Sequence, residues 1–160
     1  MNQNKILNLN KCNETINLHR QKGDKIVFTN GCFDILHIGH LSLLKQAKSF
    51  GDVLCVGVNS DESVRKLKGD DRPINNEKDR IELLTAFSIV DYIVVFNELT
   101  PCNTIATLKP DIHVKGGDYD PANFEHMPEA KIIKEYGGEI KIIKIIKGKS
   151  SSDIIKKIHP

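Results

Sequence analysis

Five short runs rich in Val and Ile recur along this chain, each followed by a stretch with helical spacing. That alternation constrains the fold more than any other feature. The runs are "KIVFTN" (25–30), "DVLCVGVN" (52–59), "DYIVVF" (91–96), "DIHVKG" (111–116) and "EIKIIKII" (139–146). The first four are nearly continuous apolar segments, as expected of strands covered on both faces. The last interleaves Ile pairs with Lys, which suits an edge strand with a solvated side. Helical spacing is read over 39–50, 76–88 and 129–136, from the serine loop to about residue 158, and over 12–22 as a leading helix. Gly51 and Gly137-Gly138 serve as stops, and Thr100-Pro101 reads as a cap followed by a first helical residue. The alternation predicts a doubly wound, Rossmann-like α/β domain: a parallel five-stranded sheet with helices on both faces.

A length of 160 residues suits one domain over 1–160, with 1–22 as a helical N-terminal extension and the polar stretch 68–79 as a mobile loop. The formal charge of +2 is spread without a basic block at either end, which argues against a nucleic-acid partner. Cys12, Cys32, Cys55 and Cys102 form no Cys-x-x-Cys pair, so neither a zinc site nor a redox dithiol is expected. The N-terminus lacks a signal-peptide pattern, and no apolar run approaches the roughly 20 residues needed to span a bilayer. The expectation is a reduced, cytoplasmic protein with no membrane partner.

In doubly wound sheets, ligands sit beyond the carboxyl ends of the strands. The first strand ends in "TNGCFDILHIGH" (29–40), which brings a glycine, Asp34, His37 and His40 to that rim. The fourth ends in Lys115-Gly116-Gly117-Asp118, and the fifth leads to "KGKSSSD" (147–153). Glycine, serine and lysine opening onto a helix suit a phosphate, because free backbone N–H groups and the helix dipole face it. Two such helix starts are expected on one rim, at 37–41 and 149–153. Each feature alone has an ordinary explanation: a capping histidine, a glycine turn, a serine cap, a solvated lysine face. Their convergence on one rim is what points to a site. Gly-x-Gly-x-x-Gly and the P-loop pattern are both absent. Cys32 has no paired base, and a metal held by His37 and His40 would need a third ligand from elsewhere.

"GCFDILHIGH" is similar to the His-x-Gly-His signature of the nucleotidyltransferase superfamily, and the likeness runs from about 23 to 158. "NSDESVRKLKGDDRPIN", "VKGGDY" and "GKSSSDIIKKI" resemble most the heptose 1-phosphate adenylyltransferases of bacterial ADP-heptose synthesis, part of the lipopolysaccharide pathway, in their stand-alone form. The resemblance implies transfer of AMP from ATP to a sugar 1-phosphate with release of pyrophosphate, with a separate sugar kinase upstream. A phosphate monoester has a second pKa of about 6, so it is already a nucleophile near neutral pH. The protein then needs no general base or covalent intermediate, only in-line positioning and charge neutralisation.

The same resemblance implies residue roles. His37 and His40 contact the ATP phosphates and stabilise the transition state, and Lys68 grips phosphate from the mobile loop, helped by Arg72. Thr29, Asn30, Gly31 and Phe33 line the phosphate path, and Gly39 lets the nucleotide approach the backbone. Gly116, Gly117 and Asp118 hold the ribose and sugar, while Ser151 and Ser152 bind the β- and γ-phosphates. Asp34 orients the turn or the sugar phosphate. Mg2+ accompanies ATP with no dedicated carboxylate cage, and relatives pair as homodimers or higher homo-oligomers. Two alternatives stand beside this reading. One is a cytidylyltransferase for glycerol 3-phosphate, whose members carry Gly-Thr-Phe-Asp where this chain has Gly31-Cys32-Phe33-Asp34. They also carry an Arg-x-x-Gly-like element where it has Lys147-Gly148-Lys149. The other is a non-catalytic nucleotide-binding regulator.

Overall fold

The computed structural model describes residues 3–117, 127–144 and 150–158. After a 3-10 turn at Gln3–Lys5 come α1 (Leu9–Gln21), β1 (Ile26–Gly31), α2 (Ile38–Lys48), β2 (Val53–Asn59), α3 (Asp61–Lys68) and α4 (Glu77–Thr85). There follow β3 (Tyr92–Phe96), α5 (Cys102–Leu108), β4 (Ile112–Gly116), α6 (Pro128–Tyr136), β5 (Glu139–Ile143) and α7 (Ser151–Ile158). All strand pairs are parallel, in the order β3-β2-β1-β4-β5. The order reverses direction between β1 and β4, so the crevice at a doubly wound sheet's switch point opens beyond Gly31 and Gly116.

Alternation along the strands builds two cores. On one face α2 and α4 bring Leu44, Ala47, Ile81 and Leu84 onto Val27, Leu54, Val56 and Val114. On the other, α1, α5 and α6 bring Cys12, Ile16, Ile105, Leu108 and Ile133 onto Ile26, Phe28, Cys55 and Val94. Each buried Val, Leu, Ile or Phe among them contributes roughly 1.5–3 kcal/mol. The leading helix is thus a structural part of the second core. The segment before it shields the β3 edge: Ile6 bridges Ile93 in parallel, and the Leu7 amide donates to the Ile93 carbonyl at 3.0 Å. β5 forms the opposite edge, as its Lys-interleaved pattern predicts. No helix among the described residues is long and apolar enough to cross a membrane.

Three local expectations differ from the structure. Residues 61–68 form α3, a helix the periodicity did not suggest because among its eight residues only Ser63 and Val64 are buried. It is held instead by polar chemistry. Ser60 caps it by accepting from the Ser63 amide, acids occupy its first turn, and Lys66 pairs with Glu62 at 2.6 Å. Lys68 therefore ends a helix rather than sitting in the loop, and residues 77–79 belong to α4. Pro101 occupies the cap position of α5 and Cys102 is its first residue, while the Thr100 hydroxyl turns to the Cys102 sulfur at 3.2 Å.

Candidate active site

The turn after β1 is built by long-range polar contacts. Phe33 takes a left-handed conformation (φ 48°) that costs a side-chain-bearing residue about 1–2 kcal/mol. Arg80 of α4, wholly buried, holds it there. Its Nη1 donates to the Cys32 carbonyl at 2.5 Å and its Nη2 to Asp61 at 2.9 Å. Asp34 clasps the following loop: its carboxylate accepts from the Ile74 amide (2.9 Å), the Asn75 amide (2.8 Å) and Arg72 Nε (2.6 Å). The Asn75 side chain returns a bond to the Asp34 carbonyl at 2.7 Å. Burial alone would raise the Asp34 carboxyl, but the two amides and the Arg72 guanidinium together hold it below its ordinary range.

From this turn α2 starts at the cavity. His37 is its cap, with Nδ1 accepting from the Gly39 amide at 3.1 Å. The His40 ring stacks on that of His37, with centroids 3.9 Å apart and planes at 30°, and lies 5.2 Å from the Phe33 ring. Burial, then the His37 ring, push His40 down to about 4 against the opposing pull of Asp34. His40 is therefore neutral near pH 7. Its Nδ1 is buried without a partner among the described residues, so its proton belongs on Nε2.

These groups line a cavity of about 490 Å³ at the switch point. Asn30, Gly31, Phe33, Asp34, His37, Gly39 and His40 come to it from β1 and α2, Lys68 and Arg72 from α3 and the loop, and Gly116 from β4. Ser150, Ser151 and Ser152 face them from the start of α7, with the Ser151 hydroxyl donating to the Ile35 carbonyl at 3.2 Å. Two helix N-termini thus share one cavity, the arrangement expected for an anion. Thr29 and Gly117 do not line it. The Thr29 hydroxyl is buried and donates to the Val114 carbonyl (2.9 Å), and the Gly117 amide donates to the Ile143 carbonyl (3.0 Å). Asp118 lies outside the described residues.

Residues given no role from the sequence also line the cavity, among them Lys115, already placed at the end of β4, Asn59 and Glu129. Lys115 on β4 and Glu129 in the first turn of α6 pair at 2.7 Å and are mostly buried. Asn59, at the end of β2, donates to the Ser63 hydroxyl at 2.9 Å. The Pro-Glu start of α6 is the sequence signal that could have found Glu129. Cys32 also lines the cavity, but burial raises its thiol pKa, with Lys68, Arg80 and Arg72 only partly opposing, so it is no nucleophile at neutral pH.

The lining does not make a magnesium cage. Its carboxylates are Asp34 and Glu129, both committed to protein donors, and no cluster of three metal-binding side chains occurs among the described residues. A second cavity, of about 530 Å³, lies at the opposite end of the sheet between Arg20, Lys109 and Tyr136. The carboxyl ends of α5 and α6 lie against it and disfavour an anion. Its Asp111 is spent on the Ile26 amide at 2.7 Å.

Residues 28–157 match the profile of the family described as cytidylyltransferase-like. The chain is 47% identical over 154 residues to the bifunctional protein HldE of Geobacter metallireducens, covering 96% of this chain and 31% of that protein. To the Helicobacter pylori protein of the same name it is 53% identical over 154 residues, again covering 96% and 31%. The chain thus spans less than a third of the length of these relatives. Among solved structures, it is similar to the lipopolysaccharide core biosynthesis protein of Thermoplasma volcanium, with TM-score 0.62 and 34% identity over 78% of this chain and 98% of that one. The pantoate-beta-alanine ligase of Francisella tularensis shares the fold at TM-score 0.60 and 20% identity, over 87% and 66% of the two chains.

Proposed function

The chain belongs to the cytidylyltransferase-like family and is a nucleotidyltransferase; from that premise we propose that it transfers AMP from ATP to a heptose 1-phosphate, giving ADP-heptose and pyrophosphate. The observation that carries the reading is the pair of helix N-termini, at His37–His40 and Ser150–Ser152, facing each other across one cavity. Cys32 keeps its proton and Asp34 is consumed by the loop. The nucleophile is then an oxygen of the sugar phosphate itself. It forms a bond to the α-phosphorus as the bond to the bridging oxygen breaks, and the electron pair leaves on pyrophosphate. Neutral His40 offers an Nε2–H to the transferring group, and exposed Lys68 offers a cation to the departing phosphates.

The similarity to HldE proteins and to a lipopolysaccharide core biosynthesis protein supports a sugar phosphate as acceptor. On this reading magnesium enters on the ATP phosphates and keeps most of its waters. A sugar kinase must supply the 1-phosphate, and the chain works in the cytoplasm as a homodimer or higher homo-oligomer. The test is pyrophosphate release with each nucleoside triphosphate against heptose 1-phosphate and glycerol 3-phosphate. Turnover with ATP and the heptose is expected; turnover only with CTP and glycerol 3-phosphate would overturn the proposal.

A further inference from the structure

A histidine sits in the middle of β4. His113 is fully buried, and its ring lies 5.6 Å from that of Phe28, its register partner on β1. Burial, with the Lys115 charge two residues on, pushes its pKa down to about 3, so the imidazole is neutral and carries one proton. Nε2 lies 3.0 Å from Oδ1 of Asn30, whereas Nδ1 is buried without a partner among the described residues.

That asymmetry selects the tautomer. A proton on Nδ1 would be a buried donor with no acceptor, and such orphaned N–H groups are rarer than unmet acceptor lone pairs. A proton on Nε2 has the Asn30 side chain within reach and leaves only a lone pair unmet. An Nε2–H can donate only to oxygen, so the Asn30 carbonyl must face His113. The carboxamide is planar, which turns its NH2 group to the other side, and Asn30 lines the 490 Å³ cavity.

We infer that His113 is a positioning residue: it fixes the Asn30 carboxamide with its NH2 group toward the cavity, where it donates to an anionic phosphate oxygen. Only the nature of the anion rests on the nucleotidyltransfer reading; the orientation does not. Without His113 the carboxamide is free to turn its carbonyl to the phosphate, exchanging an attraction for a repulsion. The imprint is on ground-state binding, because the contact lies on the cavity floor, on the sheet face opposite α2.

Two measurements decide it. In the unaltered protein, nitrogen NMR of His113 is expected to show a protonated Nε2 and a bare Nδ1; the reverse tautomer overturns the inference, whatever the substrate. Kinetics and calorimetric ATP binding on Asn30→Ala, His113→Leu and the double variant supply the second. Loss of a hydrogen bond to a charged oxygen predicts a rise in the ATP KM and Kd of roughly 10-fold for each single change. The double variant should be no worse than Asn30→Ala, whereas multiplying effects would show that His113 acts through packing alone and overturn it. Asn30→Asp keeps an acceptor for His113 but turns a carboxylate oxygen inward, so it should lose ATP affinity by more than Asn30→Ala; unimpaired binding refutes the inference. Failure of every triphosphate in the pyrophosphate assay, with the expected tautomer intact, would refute the proposed function and leave the orientation standing.

Discussion

The rings of His37 and His40 stack 3.9 Å apart at the start of α2, and the two residues do different work there. His37 spends Nδ1 on the helix cap, while half-buried His40 hides its Nδ1 and presents a single N–H. Losing one donor aimed at a transferring phosphoryl group costs roughly 100-fold or more in turnover. His40→Ala should therefore drop kcat by at least that factor in single-turnover assays, and an unimpaired variant removes His40 from the chemistry.

The same burial makes His40 a source of acid sensitivity. Its folded pKa of about 4 lies below the unfolded value of about 6.5, so the unfolded state binds the proton first as pH falls. Stability is then intact above about pH 6.5 and declines toward pH 4, by at most about 3 kcal/mol from this residue. His113 contributes in the same direction. Thermal unfolding across that window should show the decline, and His40→Asn should make it shallower, leaving the His113 share.

Asp34 is 1% exposed and its carboxylate receives three donors from a loop about forty residues away. Breaking such a buried pair costs on the order of 3–5 kcal/mol, because Arg72 is left uncompensated. Asp34→Ala should lower the urea midpoint accordingly and speed tryptic cleavage after Lys68, where the loop that Asp34 clasps begins. With the Asp34 carboxyl held low, its contribution is complete above the unfolded value of about 3.9 and disappears as pH falls through the folded one.

The sheet was legible in the sequence because strands covered on both faces are dominated by apolar residues, and β1 to β4 are, their polar residues falling mostly at the carboxyl ends. The helix α3 was not, since polar caps and ion pairs hold it and only Val64 of its apolar residues is fully buried. The histidine turn and serine loop were legible because each is a local motif at a strand-to-helix junction. Thr29 shows the limit of proximity in sequence: one position from Asn30, strand alternation turns its hydroxyl into the sheet. Arg80 and Asp34 find their partners far along the chain, and neither pairing has a local pattern to betray it.

Arg80 tests that last point. It is fully buried, its guanidinium forks between the Cys32 carbonyl and Asp61, and it holds the strained Phe33 turn from beneath. A lysine ammonium cannot span both acceptors in the fixed planar geometry of arginine. Arg80→Lys should destabilise the fold by on the order of 3 kcal/mol in urea titrations. It should also lower kcat, because Phe33 packs beside His40. Wild-type stability and turnover in this variant would show the turn to be self-supporting.

Lys115 and Glu129 place a cation and an anion side by side in the cavity wall. The pair neutralises itself in the empty protein, and an arriving triphosphate competes with Glu129 for the same cation. Glu129→Gln removes the competitor and leaves Lys115 with less compensation, so the ligand-free variant should melt lower than the wild type. ATP then supplies the missing negative charge, and anything that binds only the folded state stabilises it in proportion to its affinity. The rise in Tm at a fixed ATP concentration should accordingly be larger in Glu129→Gln than in the wild type, as read by differential scanning fluorimetry. Equal shifts in the two proteins would show that the pair does not sense the phosphates. A smaller shift in the variant would make Glu129 a ligand contact in its own right.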